Sequence, residues 1–144
     1  MRWVVDASVA IKWVVDEQQR DAARRFLIEN VDLVAPEFLL VEIANILRSK
    51  VARQEVGRDQ ARSALEAIRL AVPTLVPDKD LVGPALDLTL KLDHPSYDCM
   101  YLACAVDYDA NLITADTRLI GKLKQTGGWE RVQSLEGHRY PGMA

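Results

Sequence analysis

Four carboxylates spread along the chain, Asp6, Glu42, Asp98 and Asp116, each stand beside a strand or helix end in apolar surroundings. An acid in such a setting costs stability unless a partner compensates it. Asp6 follows the apolar run 3–5 and Asp116 follows the run 112–114, so both fall at the carboxyl end of a strand, where open α/β sheets place ligands. Glu42 lies within the oily stretch 38–47, and Asp98 opens the run 99–106 just after Ser96. Four acids meeting at one point would repel each other without cations. Hard oxygen ligands, with no His or Cys at ligand spacing, select Mg2+ or Mn2+ over Zn2+ or copper. Such ions serve phosphoryl transfer: two of them about 3.5 to 4 Å apart activate a water, bridge the scissile phosphate and stabilise the leaving oxygen.

Each acid also has a plainer reading. Asp6 would cap a helix starting at Ser8, and Asp116 one starting at Thr117. Asp98 would complement a helix N-terminus. Glu42 would be half of a buried ion pair with Arg48 or Lys50, although neither lies three or four residues away. What separates a site from four unrelated acids is whether the elements carrying them converge.

Short aliphatic runs at 3–5, 33–35, 74–76 and 112–114, with a further candidate at 132–134, alternate with helical patterns. The helices fall at 8–15, 18–29, 37–54, 58–71, 80–92, 97–108 and 117–125, with Asp78, Ser96 and Asp116 as caps and Gly57 dividing a helical hairpin. Strands alternating with helices give an α/β fold, a three-layer α/β/α arrangement around a central parallel sheet of four or five strands. Asp6 and Asp116 meet only if strands one and four are neighbours, as at the switch point of a doubly wound sheet. A short turn at Asp109 and Ala110 runs the sixth helix back antiparallel to strand four, which brings Asp98 to the same edge. Glu42 sits one turn into the helix after strand two. On that helix Phe38, Glu42, Asn45 and Ser49 form one stripe, and Leu39, Ile43, Ile46 and Leu47 form the apolar face, so Asn45 is expected to point with Glu42.

The chain has 144 residues, 49% hydrophobic and 27% charged, the balance of one soluble globular domain over 1–144, with a loose tail after about residue 137. Arg2 precedes an apolar run that Asp6 stops at once, too short for a secretory segment, and no run reaches the roughly 18 apolar residues of a membrane span. Cys99 and Cys104, five apart in a helical pattern, cannot bridge and read as small buried hydrophobes. A reducing cytoplasm is the expected location. The net charge of −3 argues against binding nucleic acid by broad electrostatic attraction alone, but leaves room for a metal-dependent nuclease with a local basic rim.

The segments Val4-Val5-Asp6-Ala7-Ser8-Val9-Ala10-Ile11-Lys12-Trp13, Pro36-Glu37 to Glu42-Ile43-Ala44-Asn45, Tyr97-Asp98 to Leu102-Ala103 and Leu112-Ile113-Thr114-Ala115-Asp116 resemble a PIN domain nearly end to end. In length and motif order the chain is most similar to the VapC toxins of toxin–antitoxin pairs. By position, Asp6, Glu42, Asp98 and Asp116 match that family's acidic metal-binding quartet, and Ser8 and Thr114 its nearby polar positions. The resemblance implies a metal-dependent endoribonuclease acting through metal-activated water, a homodimer, and a VapB-type antitoxin as partner. Asp93 and His94 match no core position and receive no role.

Lys12, Arg118, Lys122 and Lys124 are candidates for a rim that contacts RNA phosphates, against the ordinary reading of solvated helix charge. Trp13, Val14, Phe26 and Leu27 are read as core, with an exposed strip for a partner helix as the alternative. Two rivals remain in other classes. An aspartyl-phosphate protein would use Asp6 as acceptor, but the phosphatase pattern wants a second Asp where Ser8 stands, and a receiver wants an acidic pair that is missing. A non-catalytic module would hold a metal or a basic partner without cleavage.

Overall fold

In the computed structural model, residues 1–28, 31–126 and 130–136 are described. The elements run β1 (Arg2–Val5), α1 (Ala7–Val14), α2 (Arg20–Ile28), β2 (Asp32–Pro36), α3 (Phe38–Ala52), α4 (Arg58–Ala71), β3 (Thr74–Val76), α5 (Asp78–Leu92), α6 (Ser96–Asp107), β4 (Asn111–Thr114), α7 (Thr117–Thr126) and β5 (Val132–Ser134). All expected elements form, the fifth strand included; the expected tail after residue 137 and the last residue of the second expected helix lie outside the described residues.

The five strands make one sheet in the order β3-β2-β1-β4-β5, and every pairing is parallel. Parallel sheets must be covered on both faces. The central strands accordingly bury consecutive side chains: Trp3, Val4 and Val5 on β1, then Leu112, Ile113 and Thr114 on β4. β1 and β4 are neighbours, with Val5 opposite Ile113. The chain order thus reverses at the carboxyl ends of β1 and β4, the crevice where such sheets bind ligands.

The helices cover this sheet in the three-layer manner. α6 lies against β1, β2 and β4 and packs along α5. It is buried on nearly all sides, from Cys99 to Ala105, which is why its sequence lacks a clear polar face. α1, α2, α3 and α4 pack on one another. Trp13 and Phe26 belong to this packing and are buried, Trp13 with its indole N–H on the Ala23 carbonyl at 2.9 Å, whereas Leu27 is exposed. Cys99 and Cys104 are buried free thiols, as their spacing requires.

Three element ends differ from expectation. α3 stops at Ala52, short of the expected 54, and is closed by Gln54, at φ 61°, while Gly57 divides it from α4 as expected. The Glu55 N–H returns to the Lys50 carbonyl at 2.9 Å and the Gln54 N–H to Val51 at 3.0 Å, a Schellman closure in which Gln occupies the left-handed position. Gly57 instead stands at the N-cap of α4 in extended backbone. Asp78 lies inside α5 and does not cap it; its carboxylate accepts the Phe38 N–H at 3.0 Å, while Glu37 accepts the Asp78 N–H at 3.2 Å. The starts of α3 and α5 cap each other, which fixes the first turn of the helix that carries Glu42. Ser96 is likewise the first residue of α6, with Pro95 as its N-cap.

Candidate active site

Asp6, Glu42, Asp98 and Asp116 line one recess of about 150 Å3 at the carboxyl edge of β1 and β4, with Ala7, Ser8, Ile46 and Tyr101. Four elements deliver the acids. Asp6 ends β1, Glu42 comes from the second turn of α3, Asp98 from the first turn of α6, and Asp116 joins β4 to α7. The return of α6 is set by a tight reversal: Asp109, at φ 50°, lets the Ala110 N–H bond the Ala105 carbonyl at 2.9 Å before β4 begins.

Asp6 is both the cap and a lining acid. Its carboxylate accepts the Val9 N–H at 3.2 Å as the N-cap of α1. It also accepts the Ser8 hydroxyl at 2.6 Å, and Thr114 donates its hydroxyl to the other oxygen. Both hydroxyls have their direction fixed from behind. Ser8 Oγ accepts the Ala115 N–H at 2.9 Å, and Thr114 Oγ1 accepts the Asp116 N–H at 3.0 Å. One backbone donor of the β4–α7 turn fills a lone pair on each hydroxyl, and each hydroxyl turns its single proton to the Asp6 carboxylate, which can only accept. Oδ1 takes two donors and Oδ2 one, so Oδ2 keeps a lone pair. Ser8 therefore serves as a donor to Asp6 at the very position where an aspartyl-phosphate enzyme would need a second acid.

Glu42 accepts the Tyr101 hydroxyl at 2.5 Å. Neither basic residue considered for it in sequence reaches it: Arg48 bonds Asn45 at 3.2 Å, and Lys50 pairs with Glu17 at 2.7 Å. Asp98 has His94 Nε2 against its Oδ2 at 2.6 Å. Asp116 caps α7 through the Arg118 and Leu119 N–H groups at 2.9 and 3.3 Å.

The electrostatics record the crowding. Burial pushes Asp6 up to about 6 despite its three donors, with Asp98 adding repulsion. Glu42 is pushed up to about 7, first by burial, then by Asp6, Asp98 and Asp116, against the pull of Tyr101. Asp98 is also raised, by burial and Asp116, against His94 and Arg118. Among the described residues no three acid, imidazole or thiol side chains are drawn together as a finished ligand set. Yet the four acids face one space, and the proton affinity of Asp6, Glu42 and Asp98 is raised there by burial and by neighbouring carboxylates. A donor set of hard oxygens under mutual repulsion fits a small divalent cation.

Several expected site residues lie elsewhere. Asn45 is exposed and turned to Arg48, while Ile46 lines the recess. Four residues advance a helix by about 40° beyond a full turn and three fall about 60° short, so Ile46 shares the Glu42 direction more closely. Lys12 is no rim cation: its side chain is 12% exposed and faces Glu17 at 3.4 Å, beside Lys50. Of the basic candidates, exposed Arg118 acts on the site, since its charge draws Asp98 down. Lys122 is half-buried and Lys124 exposed, and among the described residues nothing ties either to the acids.

Tyr101 and His94 were missed in sequence as site residues. Both stand at helical distances from Asp98, three residues after it and four before it, which was the available signal.

The comparisons agree with this architecture. A family model described as PIN domain matches residues 3–124. Ribonuclease VapC1 of Mycobacterium tuberculosis is 32% identical over 119 residues, spanning 81% of this chain and 86% of that protein. Among solved structures, PAE2754 from Pyrobaculum aerophilum superposes with a TM-score of 0.70 at 17% identity over 94% of this chain and 90% of that one. A toxin-antitoxin complex from Klebsiella pneumoniae contains a chain with a TM-score of 0.60 at 15% identity, over 92% of this chain and 96% of that one. With its four acids gathered where β1 and β4 end, and with a sequence match running from β1 into α7, this chain belongs to the PIN-domain family and is of the VapC type.

Proposed function

We propose that this protein is a divalent-metal-dependent endoribonuclease, the toxin of a VapBC-type toxin–antitoxin pair. The observation that carries this reading is the convergence of four carboxylates from four elements on one recess. Similarity to a protein named as a ribonuclease supports RNA as the substrate. Likeness in fold to a chain of a toxin-antitoxin complex supports an antitoxin as the partner. The cofactor is Mg2+ or Mn2+, the activity resides in one domain, and the site of action is the cytoplasm. The protein works as a homodimer; exposed Val82, Leu86 and Leu90, four apart along α5, support an association face.

The residues divide the work as follows. Asp6, Glu42, Asp98 and Asp116 would hold the ion, which supplies charge neutralisation at a phosphate and an acidified water when bound. Ser8 and Thr114 keep their protons directed at Asp6, so they serve as orienting donors and not as nucleophiles. Arg118, exposed at the rim, would meet the phosphate backbone of the strand. Buried Ala7 and half-buried Ile46 add apolar surface to the lining of the recess.

The test is cleavage of purified RNA by purified protein in Mg2+ or Mn2+. Cleavage that a chelator stops and that Asp6→Asn abolishes is the expected result. Full activity of metal-loaded Asp6→Asn would sink the assignment.

A further inference from the structure

Tyr101 is 1% exposed and sits on α6, one turn after Asp98, yet its hydroxyl reaches across to α3 and ends on Glu42. The phenol ring is held on the same helix that supplies Glu42. Phe38, one turn before Glu42, has its ring centroid 6.4 Å from that of Tyr101. Positions 38 and 42 share one helix stripe, so α3 meets a single Tyr101 side chain with a ring contact and an acceptor together.

This matters because Glu42 is the longest of the four acids. Its carboxylate hangs on three rotatable bonds, while Asp6 and Asp116 are fixed by backbone N–H groups at helix N-caps. Burial and the Glu42 charge push the Tyr101 phenol well above its ordinary range, so it stays protonated and donates. The donated bond anchors Glu42 at Oε1, and Oε2 has no hydrogen-bond donor among the described residues. Asp98 is treated alike, with His94 on Oδ2. α6 thus contributes one acid of its own and the hydroxyl that aims the acid of α3.

We infer that Tyr101 is a positioning residue: its hydroxyl, fixed by α6 and by Phe38, holds Glu42 with one oxygen presented to a divalent cation. This inference rests on the metal-dependent reading of the recess. Outer partners of metal ligands are worth about 10- to 100-fold in metal affinity.

The experiment is titration calorimetry with Mn2+ alone on four proteins: the natural chain, Tyr101→Phe, Glu42→Gln and the double variant, each checked for fold by circular dichroism. The Tyr101→Phe change keeps the buried ring and removes only the donor. Expected is a loss of about 10-fold in Mn2+ affinity for Tyr101→Phe, and no further loss when it is added to Glu42→Gln. Equal affinity of folded Tyr101→Phe and the natural chain would overturn the positioning role while leaving the metal reading intact. So would an undiminished Tyr101→Phe loss in the Glu42→Gln background, since the hydroxyl would then act elsewhere. A natural chain that binds no Mn2+ would overturn both. Should Tyr101→Phe fail to fold, Phe38→Leu, which removes the ring contact on the phenol and leaves every acid in place, is titrated with Mn2+ instead: a reduced affinity is expected, and an unchanged one rejects the inference.

Discussion

Thr114 donates its hydroxyl to Asp6 across 108 residues of sequence, closing the gap between the ends of two neighbouring parallel strands. The same oxygen accepts the Asp116 N–H, so one fully buried side chain serves two of the four acids. Thr114→Val preserves shape but leaves the Asp116 N–H without its acceptor and Asp6 short of a donor. The variant should fold and lose about 1 to 3 kcal/mol of stability near neutral pH. Denaturant unfolding of both proteins reads the difference, and equal midpoints would refute the role given to this hydroxyl.

The acids should make the metal-free protein less stable as pH rises. Asp6 and Glu42 have folded values near 6 and 7, above their ordinary 3.8 and 4.5, and Asp98 is raised as well. Each binds its proton more tightly in the folded state. Their contribution is therefore complete below about pH 4 and is lost as pH climbs through 6 to 7. Glu17 has the opposite sign: burial raises it, but Lys50 and Lys12 outweigh that and hold it below 4.5, so its contribution disappears only in acid. Between about pH 5 and 8 the recess dominates, and melting temperature in a chelator should fall across that window. A melting temperature that rises instead would contradict the repulsion among these groups.

Glu42→Gln separates stability from activity. The amide oxygen still accepts from Tyr101, while a half-buried negative charge repelled by three neighbouring acids is removed. At about pH 8 and without metal the variant should melt higher than the natural chain, yet cleave no RNA. A variant both less stable and active would reverse the assignment of Glu42.

Glu17 joins α1 to α3 by accepting from Lys12 at 3.4 Å and Lys50 at 2.7 Å. Glu17→Gln should cost about 1 to 3 kcal/mol, because the amide oxygen still accepts from buried Lys50 but carries no charge, and among the described residues Glu55 at 3.6 Å is then the one counter-charge left to it. Lys12→Ala should likewise change stability more than RNA affinity, whereas Arg118→Ala should weaken RNA binding with little effect on melting. Filter binding and thermal melting of both variants make the comparison.

How much of this was legible in the sequence differs by the kind of interaction. Strands 3–5 and 33–35 stood out because consecutive apolar side chains are what a parallel strand buried on both faces requires. The convergence of Asp6 and Asp116 followed from one inference, that strands one and four are neighbours. Asn45 failed as a companion of Glu42 because a stripe drawn at three and four residues spans about 100°, too coarse to choose between Asn45 and Ile46. Lys12 was misplaced because its partner Glu17 lies beyond the end of α1, in a turn whose path no periodicity describes. Tyr101 and His94 were hidden for a different reason. Each looks like ordinary core or turn material until the acid it touches is brought into place by another element.

The most direct test of the shared cation site is the melting temperature of metal-free protein titrated with Mg2+ or Mn2+ near pH 8, natural chain beside Asp98→Asn. A cation bound only by the folded state stabilises it by mass action, about 2.7 kcal/mol at a hundredfold excess over its dissociation constant. The natural chain should gain several degrees and Asp98→Asn much less. A melting temperature indifferent to both ions, or one that rises equally in Asp98→Asn, would contradict a single metal centre built from Asp6, Glu42, Asp98 and Asp116.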